Sequence, residues 1–180
     1  LPRLFDPLFS TRPDGTGLEY CGYFGGDDND SGQAVSLGPR PEQALYLAGW
    51  SESSEATFPV SVGPDLTHNG PLLNMGEHDA IIGRLASRID HPDPKRNWDF
   101  LGYVGGSNWD LAFWLDVDDR GDAYIGGDTW SDLDTFPDGS GIGSRASLGE
   151  GAHGDSDPFV AKIAYHPLDL GRTLFLPALA

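Results

Sequence analysis

Cysteine is almost missing from this chain. Its 180 residues hold one, Cys21, which rules out an intrachain disulfide framework and leaves the redox compartment open. Basic residues are scarce too: 11 Lys and Arg stand against 28 Asp and Glu, a formal net charge of -17. A phosphate-backbone partner needs a Lys/Arg surplus, so nucleic acid is excluded as a partner class. An anionic membrane surface is disfavoured for the same reason. No apolar run approaches the roughly 20 residues that a membrane helix requires, so no membrane insertion is expected, and no stretch combines helical periodicity with caps. No signal-peptide pattern and no Gly-x-Ser-x-Gly nucleophile elbow is present.

What the chain has is glycine (25), proline (14) and an internal repeat. Asp122-Ala-Tyr-Ile-Gly-Gly-Asp-Thr-Trp130, Thr135-Phe-Pro137 and Asp157-Pro-Phe-Val-Ala-Lys-Ile163 each fall, 78 residues earlier, on Ala44-Leu-Tyr-Leu-Ala-Gly-Trp-Ser-Glu52, Thr57-Phe-Pro59 and Asp79-Ala-Ile-Ile-Gly-Arg-Leu85. Upstream, Asp99-Phe-Leu-Gly-Tyr-Val-Gly-Gly106 falls on Glu19-Tyr-Cys-Gly-Tyr-Phe-Gly-Gly26 at an offset of 80. The difference has a visible cause. The turn Gly38-Pro-Arg-Pro-Glu-Gln-Ala44 is two residues longer than Asp118-Asp-Arg-Gly-Asp122. Further copies of single blocks lie at the ends, Asp6 to Arg12 and Arg172 to Leu179.

Within each period, alternating segments such as Gln33 to Leu37 and Leu45 to Gly49 read as half-buried hairpin strands, separated by turn dipeptides. Short antiparallel strands with Gly-rich turns, repeated at a fixed period, predict an all-β fold of β-propeller-like repeats. The expected array is single, over residues 1–180. It has two four-stranded antiparallel blades, 18–85 and 98–163, plus one overhanging strand at each end, 6–12 and 172–179. Connections 51–78 and 129–156 are long, and the linker 86–97 reads as a surface loop. A strand left over at each end is expected of a portion of a longer repeat protein, or of a protomer that completes its sheets with neighbouring copies.

These blocks resemble the SBBP-type seven-bladed β-propeller repeat of exported bacterial proteins. Val117-Asp-Asp-Arg-Gly-Asp-Ala-Tyr-Ile-Gly-Gly127 is similar to the middle of that repeat, Phe136-Pro137 to its joint and Asp157-Pro-Phe-Val-Ala-Lys-Ile163 to its end. The first unit departs at Leu37-Gly-Pro-Arg-Pro-Glu-Gln43 and at Ile81-Ile-Gly-Arg84. The resemblance implies an extracellular or cell-surface protein and carries no catalytic residue, since the signature positions are packing and turn positions.

Candidate chemistry is sparse. Asp116, Asp118, Asp119 and Asp122 crowd one hairpin and offer carboxylates to Ca2+, although without the register of a dedicated calcium loop. Otherwise they form a polar hairpin tip with Gly121 in the left-handed region. Asp30 and Asp110 share one repeat position and are expected to accept backbone amides at the start of a strand. Cys21 is expected to be a small buried hydrophobe in a strand. The five histidines, without ligand spacing, are expected in solvent. Trp109 and Trp130, on loops, are the candidates for stacking on a polysaccharide, whereas Trp114 falls out of phase in its strand and should cover the opposite sheet face. Asn29-Asp-Ser31 is a formal glycosylation sequon.

The leading expectation is a non-catalytic extracellular scaffold that self-assembles with further copies of itself, or with adjoining repeats, into a surface layer or filament. A carbohydrate-binding module is the alternative, and a propeller-based glycosidase or lyase comes third.

Overall fold

Residues 21–69, 78–86, 91–132, 134–136 and 156–165 are described in a computed structural model. The overhanging segments 6–12 and 172–179 lie outside them. Among the described residues, seven strands form two sheets, and every pairing is antiparallel. The first sheet runs β1 (Asp30–Leu37), β2 (Leu45–Ser51), β3 (Asp79–Leu85) and β4 (Trp98–Val104) in that order. The second runs β5 (Asp110–Val117), β6 (Ala123–Thr129) and β7 (Asp157–Ile163).

The repeat recurs in fine structure. A register shift lies between Gly32 and Ala34 of β1, and its counterpart lies between Ala112 and Trp114 of β5, at the same repeat position. Opposite each bulge the backbones come so close that only glycine fits. A Cβ at Gly49 would collide with the Ser31 carbonyl oxygen, and one at Gly127 with that of Leu111.

Strand membership differs from the sequence expectation. β4, expected to open the second unit, is the fourth strand of the first sheet and pairs with β3 from Leu85↔Trp98 to Ala80↔Val104. The reason is local. The intervening loop closes on itself, with Ala86 N–H donating to Asn97 O (2.9 Å), and its 3-10 turn Pro94–Asn97 is capped by Asp93. The chain therefore returns antiparallel beside the strand it has just left, the usual relation of consecutive strands. The part of the expected strand 18–24 that is described, Cys21 to Phe24, is not a strand, and Cys21 is exposed rather than buried. Its counterpart Leu101 is fully buried because β3 and the chain after β2 flank it.

The long connection after β2 has a structural task. Ser61 N–H donates to Leu101 O, Leu101 N–H to Val62 O and Tyr103 N–H to Asp65 O, at 2.9–3.0 Å, so residues 61–65 pair with the outer edge of β4. An open strand edge is thereby covered. The same connection places Phe58 and Val60 with Phe24 over one face of the first sheet, against Ile81, Trp98, Leu101 and Tyr103. Phe58 is fully buried, and Tyr103 anchors the segment by donating its hydroxyl to Ser53 O at 2.7 Å.

Because Phe58 fills the centre of this second core, Phe58→Ala should destabilise the fold by about 3–5 kcal/mol. Val62→Ala, at a side chain 65% exposed, should change stability by less than about 0.5 kcal/mol. Urea denaturation of both variants checks the difference.

Candidate functional site

The two sheets meet face to face, and every functional feature follows from that meeting. From the first sheet Tyr46, Ala48, Ala80, Ile82, Phe100 and Val104 point inward. From the second, Ala112, Ala123, Ile125 and Phe159 meet them, with Leu115, Val117, Ala161 and Ile163 at the margin. The period of two along each strand makes this one continuous apolar face per sheet. Tyr46 is fixed further by donating its hydroxyl to Gly121 O at 2.9 Å.

Applying the repeat offsets to this interface exposes an asymmetry. Tyr46 and Ile82, buried at 1% and 0% exposure, correspond to Tyr124 and Val160, which are 37% and 65% exposed on the outer face of the second sheet. Trp114 lies beside Val160 across Gly126 and is 67% exposed. Conversely, Leu115 and Val117 pack in the interface while their counterparts Val35 and Leu37 are 64% and 51% exposed on the first sheet. Each sheet thus carries both halves of one stacking interface; the second half is open on the second sheet, whereas on the first only its β1 margin at Val35 and Leu37 is open, since Phe58 and Val60 cover Ile81 and Leu47 on that face. Trp114 does point to the opposite face, as its phase in the strand requires.

At the entry to each sheet an aspartate gathers the same donors. Asp30 accepts Gly26 N–H and the hydroxyls of Ser51 and Ser53. Asp110 accepts Gly106 N–H (2.6 Å) and the Ser131 hydroxyl (2.9 Å), with Thr129 in the place of Ser51. Ser53 and Ser131 in turn accept the amides of Asp28 and Asn108, and Thr57 and Thr135 those of Asp27 and Ser107. The expectation that these aspartates bind backbone amides is met at both copies.

Asp110 is the more deeply placed. It has no exposed surface, and Gly105 separates it from the equally buried Asp79: a Cβ on Gly105 would strike Asp79 Oδ1 and stand 3.0 Å from Asp110 Oδ2. Burial raises the Asp110 pKa from the ordinary 3.8 to about 6, against the lowering pull of hydrogen bonds from Thr129, Gly106 and Ser131.

Next to this joint runs an aromatic stack. His78 lies between Trp50 (4.4 Å, 18° between planes) and Trp109 (5.5 Å, 14°), and Trp109 meets the edge of Trp130 at 5.9 Å. Glu52 approaches His78 Nδ1 at 3.4 Å. The backbone ties the same residues, with Asp110 N–H donating to His78 O and Trp130 N–H to Trp109 O. The two predicted tryptophans are therefore brought together, with Trp109 43% exposed, and the stack recruits Trp50 and His78, which sequence reasoning had not placed there. His78 corrects the expectation of solvent histidines, as does His68, buried against the Tyr103 ring. Both are drawn in because their flat rings pack against aromatic faces that the strands present. One signal was available: the second copy has Asp128 and Ser156 at the positions of Trp50 and His78, so the first pair is peculiar to this seam.

The four hairpin aspartates do not act together. Desolvation pushes the Asp118 pKa up, but the amides of Arg120 and Asp122 and the Tyr124 hydroxyl that it accepts, with the Lys162 charge, together hold it below the usual carboxylate range. Asp122 is buried and pairs with Lys162 at 2.7 Å. Asp116 and Asp119 are exposed at the tip. Gly121 has φ +86°, the left-handed turn expected of it. Among the described residues no group of three His, Cys, Asp or Glu side chains is disposed to hold a metal.

No protein-family model matches the chain, and no curated protein matches it.

The raised Asp110 pKa has a defined sign. Folding takes up a proton between pH 3.8 and about 6, so this group's stabilising contribution is full below the lower value and is lost as pH rises through the upper. Asp110→Asn, which keeps an acceptor for Gly106, should be near neutral at pH 4 and more stable than the wild type by up to about 3 kcal/mol at pH 7.5. Thermal unfolding of both proteins across that range measures it.

Proposed function

We propose that this protein is a non-catalytic extracellular scaffold of β-propeller-repeat type, whose sheets stack in series and which grows by adding further sheets of the same kind. The observation that carries this reading is a pair of exposed apolar patches at interface positions of the repeat: Trp114, Tyr124 and Val160 on the outer face of the second sheet, Val35 and Leu37 at the β1 edge of the first. Both patches repeat positions of the sheet-to-sheet contact but point in opposite directions, so a contact between them joins unlike faces. Such a contact is heterologous, and copies joined through it form a ring if the rotation closes and a filament if it does not. The SBBP-like blocks of the sequence agree with this reading and supply its extracellular part. Adjoining repeats of a longer chain would fill the same faces. For a glycosidase, the paired carboxyls Asp79 and Asp110 have no exposed surface, so this pair offers a sugar no approach.

A carbohydrate-binding module is the second reading, favoured by the exposed Trp109 ring beside Trp130. It predicts glycan binding that disappears in Trp109→Ala with the assembly state unchanged.

For the scaffold reading, light scattering after gel filtration should show species above 19.3 kDa that grow with concentration. The double variant Trp114→Glu/Val160→Glu should remain monomeric with an unchanged β-sheet circular dichroism spectrum. A wild-type chain that stays at 19.3 kDa at every concentration would rule out self-assembly.

A further inference from the structure

Two hairpin residues at one repeat position share an unusual backbone. Gly121 has φ +86°, and Gln43, 78 residues earlier, has φ +48°. Glycine adopts the left-handed region readily and glutamine does not, so the hairpin demands that conformation in both copies. The main-chain bonds around it are equivalent as well. Gly121 N–H donates to Asp118 O (2.9 Å) and Gln43 N–H to Pro39 O (3.0 Å), while Asp118 N–H donates to Asp122 O and Gly38 N–H to Ala44 O. The Gln43 and Gly121 carbonyls therefore take the same direction relative to their own sheets.

What the two carbonyls meet is different. Gly121 is buried, and its carbonyl accepts the Tyr46 hydroxyl across the sheet-to-sheet contact. Gln43 is half-buried, and its carbonyl accepts no hydrogen bond among the described residues. The counterpart of Tyr46 is Tyr124, on the outer face of the second sheet. Its surroundings repeat those of Tyr46: Lys162 Nζ lies 5.1 Å from the Tyr124 ring, as the Arg84 guanidinium lies 5.7 Å from that of Tyr46. A Cβ on Gly38 would strike the Tyr46 ring, and at the equivalent position Asp118 takes the Tyr124 hydroxyl at 3.2 Å, an exposed bond. The apolar positions agree. Within the chain it is β5, through Ala112, Leu115 and Val117, that touches β1, β2 and β3 of the first sheet. The counterpart of β5 is β1, where Val35 and Leu37 are exposed; Phe58 and Val60 cover the middle of that face and leave this edge.

We infer that the partner of the outer face of the second sheet is the β1–β2 hairpin of a second copy of this chain. Val35 and Leu37 of one copy pack on Trp114 and Val160 of the next, and Tyr124 exchanges Asp118 for the Gln43 carbonyl, as Tyr46 already donates to Gly121. This deepens the self-assembling scaffold reading and rests on it. The contact joins unlike faces, so each copy takes one neighbour on either side. Apolar burial supplies the attraction and is non-directional, and the tyrosine hydrogen bond sets the register.

Sedimentation velocity of paired variants tests it, in about 0.5 M NaCl so that copies of net charge -17 are screened from one another. Trp114→Glu/Val160→Glu keeps the hairpin and loses the sheet face; Val35→Glu/Leu37→Glu keeps the sheet face and loses the hairpin. All four side chains are more than half exposed, so both variants should keep the wild-type circular dichroism spectrum. Each should be monomeric alone, and an equimolar mixture should form a one-to-one dimer that grows no further. Adding Tyr124→Phe to the second variant should weaken that dimer about fivefold. A dimer as tight as before overturns the Tyr124 assignment and leaves the scaffold reading standing. A variant that dimerises by itself shows that like faces meet, and a mixture that stays monomeric while the wild type associates shows that another surface is used; either result overturns the inference. A wild type that stays at 19.3 kDa overturns the scaffold reading together with it.

Discussion

The burial of one sheet face against the next is the contact on which the structure depends. Tyr46, Ala48 and Ile82 meet Ile125 and Phe159 with almost no residual exposure, and each large side chain so buried contributes about 1.5–3 kcal/mol. Seven short strands in two sheets have no other way to remove both inner faces from water. The hairpin ends, the aspartate joints and the aromatic stack are all positioned by this contact.

Around that contact the fold repeats its joints and varies its fillings. The aspartate that gathers a glycine amide and two hydroxyls occurs at Asp30 and again at Asp110, since a strand leaving a Gly-Gly turn must satisfy the same backbone donors each time. What occupies the neighbouring positions differs. Trp50 and His78 build a stack at the first seam where the second copy has Asp128 and Ser156. The aromatic stack lies where the two copies diverge, the place at which a repeat acquires individual chemistry.

Much of the architecture is legible in the residues. The offsets of 78 and 80 survive as matched hydrogen bonds. Trp114 out of phase with Leu115 and Val117 correctly places it on the other face. The sheet boundary was not legible, because a repeat has no natural first strand: β4 belongs to the second period by sequence and to the first sheet by pairing. Cys21 was misjudged for the same reason, since it is exposed whereas its repeat counterpart Leu101 lies between β3 and residues 61–62. The connection after β2 has no periodicity, yet it seals a strand edge through main-chain bonds that leave no pattern in side chains.

Period, alternation, turn chemistry and charge are local properties, each carried by a few consecutive residues, and these specify an acidic all-β repeat with its strands and tight glycines. Which faces end up covered and which histidines lie among tryptophans are decided by residues far apart in the chain. Trp50 and Trp109 come to flank His78 only when two sheets stack at one register. That register depends on the summed burial of a whole face, a quantity that no single stretch of sequence contains.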